Sequence, residues 1–257
     1  MNGNRILKYV LYDIIRNKWL ITFTVILFLF CSGIIYFSKD ITKSIAGILN
    51  VVLAIIPLAC LLFGSIHYYN SREFIQMLLS QPVKRASIFR AEYLGLSISM
   101  SAAYLTGVIV PLVFFGFSKV ILYLAIEGVF LCFIFTGIGM MVSIFINEKV
   151  KGVGLLLLIW LYFSVLYDGL ILMLYFMFSD YPLEKVTIVS TFLNPVDISR
   201  ILILLNLDIS ALLGYSGATF QKFFGNVPGV VFSFIMLILW TIIPFIISIN
   251  KFKNKNF

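Results

Sequence analysis

Six long apolar segments divide this chain, and they constrain its fold more than any other feature of the sequence. A helix needs about 20 residues to cross the hydrocarbon core of a bilayer. The apolar residues run continuously instead of alternating, which excludes a transmembrane β-barrel. We therefore expect an all-α integral membrane protein with six transmembrane helices, at about 19–37, 45–68, 93–117, 120–146, 153–178 and 227–249.

The charged residues support this interpretation by their number and their placement. Only 12% of the residues are charged, against about 25% in soluble proteins. The net charge of +8 does not indicate nucleic-acid binding, because the basic residues follow membrane topology. About two thirds of the lysines and arginines fall in segments that would share the side of the N-terminus, so we predict that both termini are cytoplasmic.

Residues 4–17 predict an amphipathic elbow helix lying in the membrane interface, because apolar residues such as Ile6, Val10 and Ile14 form one stripe and charged residues oppose it. Trp19 follows at the level where lipid headgroups favour its ring. The start carries scattered charges and no small-residue cleavage site, so we do not expect a signal peptide.

The segment 71–90 is the longest charged break in the first half of the chain. Its polar and apolar side chains fall on opposite helical faces. Pro82 ends the helix, because a proline disfavours helical geometry in the residue before it. We expect a coupling helix between spans two and three that contacts a soluble partner. Its candidate contact residues are Arg72, Glu73, Gln76, Ser80, Lys84 and Arg85.

Two acidic residues, Glu127 and Asp168, fall inside predicted spans four and five, both in the outer half. An acid within the membrane is costly and normally faces the protein interior or water. Two interpretations stay open: the pair lines a conduit, or it forms interhelical hydrogen bonds that fix the packing.

The connection 179–226 is long, lies on the outer side and is mostly apolar in its middle. Asn194 is a predicted N-cap, with Pro195 at the first helical position and Asp197 near the positive helix end. The run 198–207 is too short to cross a bilayer, so we expect it either to dip into the outer leaflet or to pack across the spans as an external helix.

Motifs for catalysis or for metal binding are not found in the sequence. It contains no Walker phosphate-binding loop and no H-E-x-x-H motif, and its three cysteines form no C-x-x-C pair. The single histidine, His67, is expected to hydrogen-bond near the interface instead of binding a ligand. We therefore predict no catalytic residue, no metal site and no cofactor in this chain, so that any ATP-driven role requires a partner.

Together these features resemble the ABC-2 permease family, in which a comparable segment reads R-E … L-L-S-x-P-V-S-R. Residues 72–85 here read R-E-F-I-Q-M-L-L-S-Q-P-V-K-R, with Lys84 where serine is common. L-Y-D at 166–168 and L-N-P-V-D-I-S-R at 193–200 are similar to phrases of the NosY-like permeases of nitrous-oxide reductase maturation.

The resemblance implies one transmembrane domain over 1–257, in a bacterial or archaeal plasma (inner) membrane. It implies a homodimer with two separate cytoplasmic ATPase subunits, which carry ATP and Mg²⁺. In the NosY-like group it also implies a periplasmic partner and a role in copper-enzyme maturation. The expected docking residues for that partner are Asn194, Pro195, Asp197 and Arg200. Two alternatives stay open: a docking module that moves a partner without transport, and an exporter of a drug, lipid or peptide.

Overall fold

Helices form nearly all of the structure, a computed structural model that describes residues 3–38, 40–178, 184–207 and 227–255. Within those ranges no strand is present. The predicted outer connection 179–226 therefore lies partly outside the described residues. The helices are α1 (Gly3–Ile15), α2 (Lys18–Ser38), α3 (Ile41–Asn70), α4 (Arg72–Leu79), α5 (Arg85–Tyr104), α6 (Val110–Phe115), α7 (Lys119–Phe145), α8 (Lys149–Leu161), α9 (Tyr167–Met177), α10 (Glu184–Phe192), α11 (Pro195–Asn206) and α12 (Val227–Lys253).

Six helical stretches in the described ranges are long and apolar enough to cross a membrane, which confirms the predicted all-α, six-span fold. Spans one, two, four and six are α2, α3, α7 and α12. Span three combines α5 and α6 over Arg85–Phe115, and span five combines α8 and α9 over Lys149–Met177. Span three thus begins eight residues before the predicted 93.

Spans three and five each contain one wide, π-helical turn, at Leu105–Ile109 and at Tyr162–Leu166. In span three this turn comes just before Pro111. A proline has no amide proton and clashes with the carbonyl four residues earlier, so the wider turn accommodates it within a continuous span. Such turns often mark functional positions. The turn in span five directly precedes Tyr167 and Asp168.

The centre of the molecule is the packing of α3 against α7. A Cβ atom added to Gly139 would lie 2.6 Å from the carbonyl oxygen of Leu61, and one at Gly64 would lie 3.0 Å from that of Thr136. Small residues therefore let the two backbones approach closely. The most apolar window of α7 is 72% buried, whereas that of span five is only 11% buried.

Helix α1 packs its apolar stripe against α5, a contact that the sequence does not predict. Ile6, Val10 and Ile14 are buried, and Gly95 of α5 leaves the space that Val10 fills. The predicted elbow is thereby attached to span three as well as to span one.

The two ends of the bundle carry different elements. At one end, which we call the α4 end, lie α4, the turn 146–148, the beginning of α5 and the C-terminal residues 253–255, joined by hydrogen bonds described below. The opposite end carries the corner between α10 and α11, which is bent by 114°.

Helix α11 is buried among the spans and contacts α7 and α12. Asn194 is its N-cap, with the side-chain oxygen accepting from the amide of Val196 at 3.0 Å, and Pro195 occupies the first turn. These observations confirm the predicted helix start. Val196, Ile198 and Leu202 are fully buried, so α11 packs within the bundle and not on its surface.

Candidate functional site

Helix α4 presents a polar surface at the α4 end. Ile75 and Leu78 are buried beneath it, while Glu73, Gln76 and Ser80 are exposed. The helix ends at Leu79, three residues before Pro82, as the sequence predicts. Phe74 and Met77 are also largely exposed. The result is a short, firmly anchored helix with its charged face open to a partner.

Arg72, predicted as a contact residue, is half-buried and used within the fold. Its guanidinium donates to the side-chain oxygen of Asn147 at 3.3 Å, across the turn between α7 and α8. In the same region Lys149 donates to Asn70 at 3.1 Å. Arg72 therefore anchors α4 to span four.

Arg85 likewise serves the fold. It begins α5, and its guanidinium donates to the carbonyl oxygens of Lys253 and Lys255 at 3.0 and 2.9 Å. The ammonium of Lys255 in turn donates to the carbonyl oxygen of Ile144 at 2.7 Å. Burial, with the nearby charges of Arg72 and Lys251, lowers the pKa of Lys255 to about 8. Lys84, by contrast, is exposed.

Glu92 is a buried acid that the sequence analysis missed. It is 2% exposed, and its carboxylate pairs with Nε2 of His67 at 2.8 Å. Ser71, at the start of α4, lies 3.4 Å from the same nitrogen. The predicted hydrogen-bonding role of His67 is confirmed. The sequence contains a signal for the burial of Glu92, because this residue shares a helical face with the apolar residues Ile88 and Leu96.

A second polar cluster surrounds α11. The hydroxyl of Ser199 donates to Glu127 Oε2 at 3.0 Å. Arg200 donates to Asp168 Oδ2 and, at 3.3 Å, to Asp197 Oδ1. The two predicted intramembrane acids thus bind adjacent residues of one helix, which places them at the same depth.

The two acids differ in their surroundings. Glu127 is 1% exposed, and its Oε1 has no hydrogen-bond partner among the described residues. The Asp168 side chain is about one third exposed. In the described structure both make interhelical contacts, which is one of the two interpretations that the sequence leaves open.

Two of the four expected docking residues, Asn194 and Pro195, are buried, and the other two, Asp197 and Arg200, are partly buried. Asn194 is fully buried, and its amide donates to the carbonyl oxygen of Phe163 in the π-helical turn of span five at 2.9 Å. Pro195 is buried as well, and Asp197 and Arg200 belong to the ion cluster. Direct contact of an outer partner with Asn194 or Pro195 would require α11 to move.

Within the described part of the chain, no three His, Cys, Asp or Glu side chains are placed to hold a metal ion. Cys31, Cys60 and Cys132 are buried free thiols.

Comparison with known families decides the class of protein. A sequence model described as "ABC-2 family transporter protein" matches residues 51–257, which is well over half of the chain and includes α4, both acids and α11. The chain belongs to the ABC-2 transporter family. No curated protein matches it.

As an ABC-2 permease, the chain is the membrane component of a transporter that works with ATP-binding subunits. The family match begins within α3, covers the four later spans, and leaves α1 and α2 outside it. The exposed face of α4 lies within the matched region and is open to a soluble subunit.

Proposed function

We propose that this permease functions as a homodimer with two ATP-binding subunits, which contact Glu73, Gln76 and Ser80 on the exposed face of α4. The observation that carries the proposal is the division of α4 into an exposed polar face and a buried apolar face of Ile75 and Leu78. In this account the α4 end, with both termini, is cytoplasmic, and the protein lies in a plasma (inner) membrane.

The contacts of α4 give it a route to several spans. It follows α3 directly, and Arg72 ties it to the turn after α7. The His67–Glu92 pair joins the C-terminal end of α3 to α5. A force on α4 would therefore act on spans two, three and four together.

The double variant Glu73→Ala/Gln76→Ala tests this proposal. Neither side chain forms a hydrogen bond or ion pair with another described residue, and both are exposed. We therefore expect normal insertion and helicity but a loss of ATPase stimulation when the ATP-binding subunits are added. Lys43→Ala/Lys119→Ala, two exposed positions at the opposite end, is the matched control. Unchanged stimulation in the α4 variant would refute the assigned contact.

A second copy of the chain would pack on the least covered spans. The windows of span five, α12 and α2 are only 11%, 17% and 22% buried, and their exposed side chains are mostly apolar. These faces suit either lipid or a second permease.

For the finer role we propose participation in copper-enzyme maturation, as in the NosY-like group. Support comes from the two phrases that resemble that group, because Arg200 of one phrase donates to Asp168 of the other. Co-expression with nitrous-oxide reductase tests the role. We expect the copper content of the reductase to depend on this chain, and a fully loaded reductase without it would contradict the role.

A docking module is the second candidate, favoured by one observation. Val189 and Leu193 are 60% and 59% exposed on the α10–α11 corner, and they offer an apolar contact to an outer partner. In a docking module Val189→Glu would stop maturation of the client while Asp168→Asn would not. The opposite pattern would favour transport.

A further inference from the structure

A large cavity lies at the α4 end, between the elbow helix α1 and the coupling helix α4. Its volume is about 1360 Å³, and its walls come from α1, α2, α3, α4 and α5. Sites for small ligands usually measure roughly 300–1,000 Å³. The size of this cavity therefore suits a larger occupant.

The cavity has a polar end and an apolar end. Asn17, Asn70 and Gln81 line it at the mouth, where the spans end. Leu62 and Phe63 line it deeper within α3. From Asn70 back to Leu62 the helix rises about 12 Å, so the cavity extends from the interface into the hydrocarbon region. This gradient matches an amphiphile with a polar head and apolar chains.

Two charges of opposite sign stand at the mouth. Asp13 lies on α1 and Arg16 directly follows that helix; both are exposed and line the cavity. No ion pair joins either of them to another residue in the described ranges, and the Arg16 guanidinium lies 4.5 Å from the ring centre of Tyr12. The deeper charges, His67 and Glu92, already pair with each other.

We propose that this cavity binds a zwitterionic phospholipid, with its phosphate on Arg16 and its ammonium on Asp13. The acyl chains pass between Phe63 and Leu96 toward the bilayer. A soluble protein segment is the less suitable occupant, because the inner half of the cavity lies at hydrocarbon depth. The bound lipid would lie between the elbow helix and α4.

The test uses the full-length chain, purified in mild detergent, stripped of lipid and titrated with phosphatidylethanolamine or phosphatidylglycerol. Native mass spectrometry counts the bound lipids. We expect tighter binding of phosphatidylethanolamine. Asp13→Asn should weaken it about tenfold, as for loss of a charged hydrogen bond, and should remove the preference. Arg16→Gln should weaken both lipids.

A pair of tryptophan variants tests the position. Ile66 lines the cavity, so the larger ring in Ile66→Trp should obstruct it and weaken lipid binding, whereas Ile26→Trp, on the exposed face of α2, should not. Equal binding of the two lipids by the wild type, or normal binding by Ile66→Trp, would overturn the proposal. Loss of ATP-binding-subunit association in Ile66→Trp with lipid binding intact would assign the cavity to a protein partner instead.

Discussion

Glu127 and Arg200 hold α11 to the spans by different means. Among the described residues, Glu127 has one hydrogen-bond partner, the hydroxyl of Ser199, and the core surrounds the rest of its side chain. Arg200 has two, the carboxylates of Asp168 and Asp197. A buried polar group left without a partner costs more than the hydrogen bond itself contributes, so the two contacts should respond differently to substitution.

Ser199→Ala should lower the free energy of unfolding by about 1–3 kcal/mol, because it removes the one hydrogen-bond partner that the Glu127 carboxyl has in the described ranges. Ser248→Ala is the matched control. Ser248 is equally buried and also donates to the carbonyl four residues earlier, but it supports no acid. Thermal unfolding in detergent compares the two, and equal losses would contradict this role of Ser199.

Arg200→Gln should destabilise the protein more than Asp168→Asn, by about 1 kcal/mol. Removing the guanidinium leaves two neighbouring carboxylates unpaired, whereas removing Asp168 leaves Arg200 its contact with Asp197. Both side chains of the Arg200–Asp168 pair are about one third exposed, which limits the effect. Thermal unfolding gives the order of the two losses of stability. A larger loss in Asp168→Asn would show that stability depends on the Arg200–Asp168 pair and not on the sharing of Arg200 by two carboxylates.

At the scale of elements, the approach of α3 to α7 determines the core. Gly139→Ala would bring a methyl group against the backbone of α3 at Leu61, where no side chain can rotate away. We expect a loss of about 1–3 kcal/mol from this overpacking. Gly33 and Gly169 are helical glycines with nothing within 4 Å of an added Cβ. Gly33→Ala and Gly169→Ala should therefore leave the stability of the protein unchanged or raise it by up to about 1 kcal/mol.

The sequence predicts the number and type of elements well, because continuous apolar runs have few structural solutions in a membrane. It fails at the start of span three. Arg85, Arg90 and Glu92 indicate a polar loop by composition, yet they belong to α5. Charge density alone cannot show that Glu92 faces inward, since its stabilising partner His67 lies 25 residues away.

The sequence predicts which residues belong to the candidate sites, but it does not predict which of them contact one another. Asn194 and Pro195 identify a helix start, because capping is a local interaction. The pairing of Arg200 with Asp168 spans 32 residues, and that of Ser199 with Glu127 spans 72. Both contacts depend on how α11 enters the bundle, which no local pattern encodes. The sequence alone therefore places Asn194, Pro195, Asp197 and Arg200 at an outer docking surface.

At the scale of the whole molecule, the α4 end is a connected unit. Arg72, Arg85 and Lys255 link α4, the turn after α7, the start of α5 and the C-terminal residues. The opposite end is connected through α11. A partner that moves the first unit would reach the second through α3 and α7, which run between the two ends and pack closely along their length.

The account depends most on where the ATP-binding subunits contact this permease. The measurement is photo-crosslinking in native membranes from a single introduced cysteine, at exposed Gln76 on α4 or at exposed Leu193 on the opposite end. The account predicts that Gln76→Cys crosslinks to an ATP-binding subunit and that Leu193→Cys does not. Crosslinking from Leu193→Cys alone would contradict both the assigned contact and the proposed orientation.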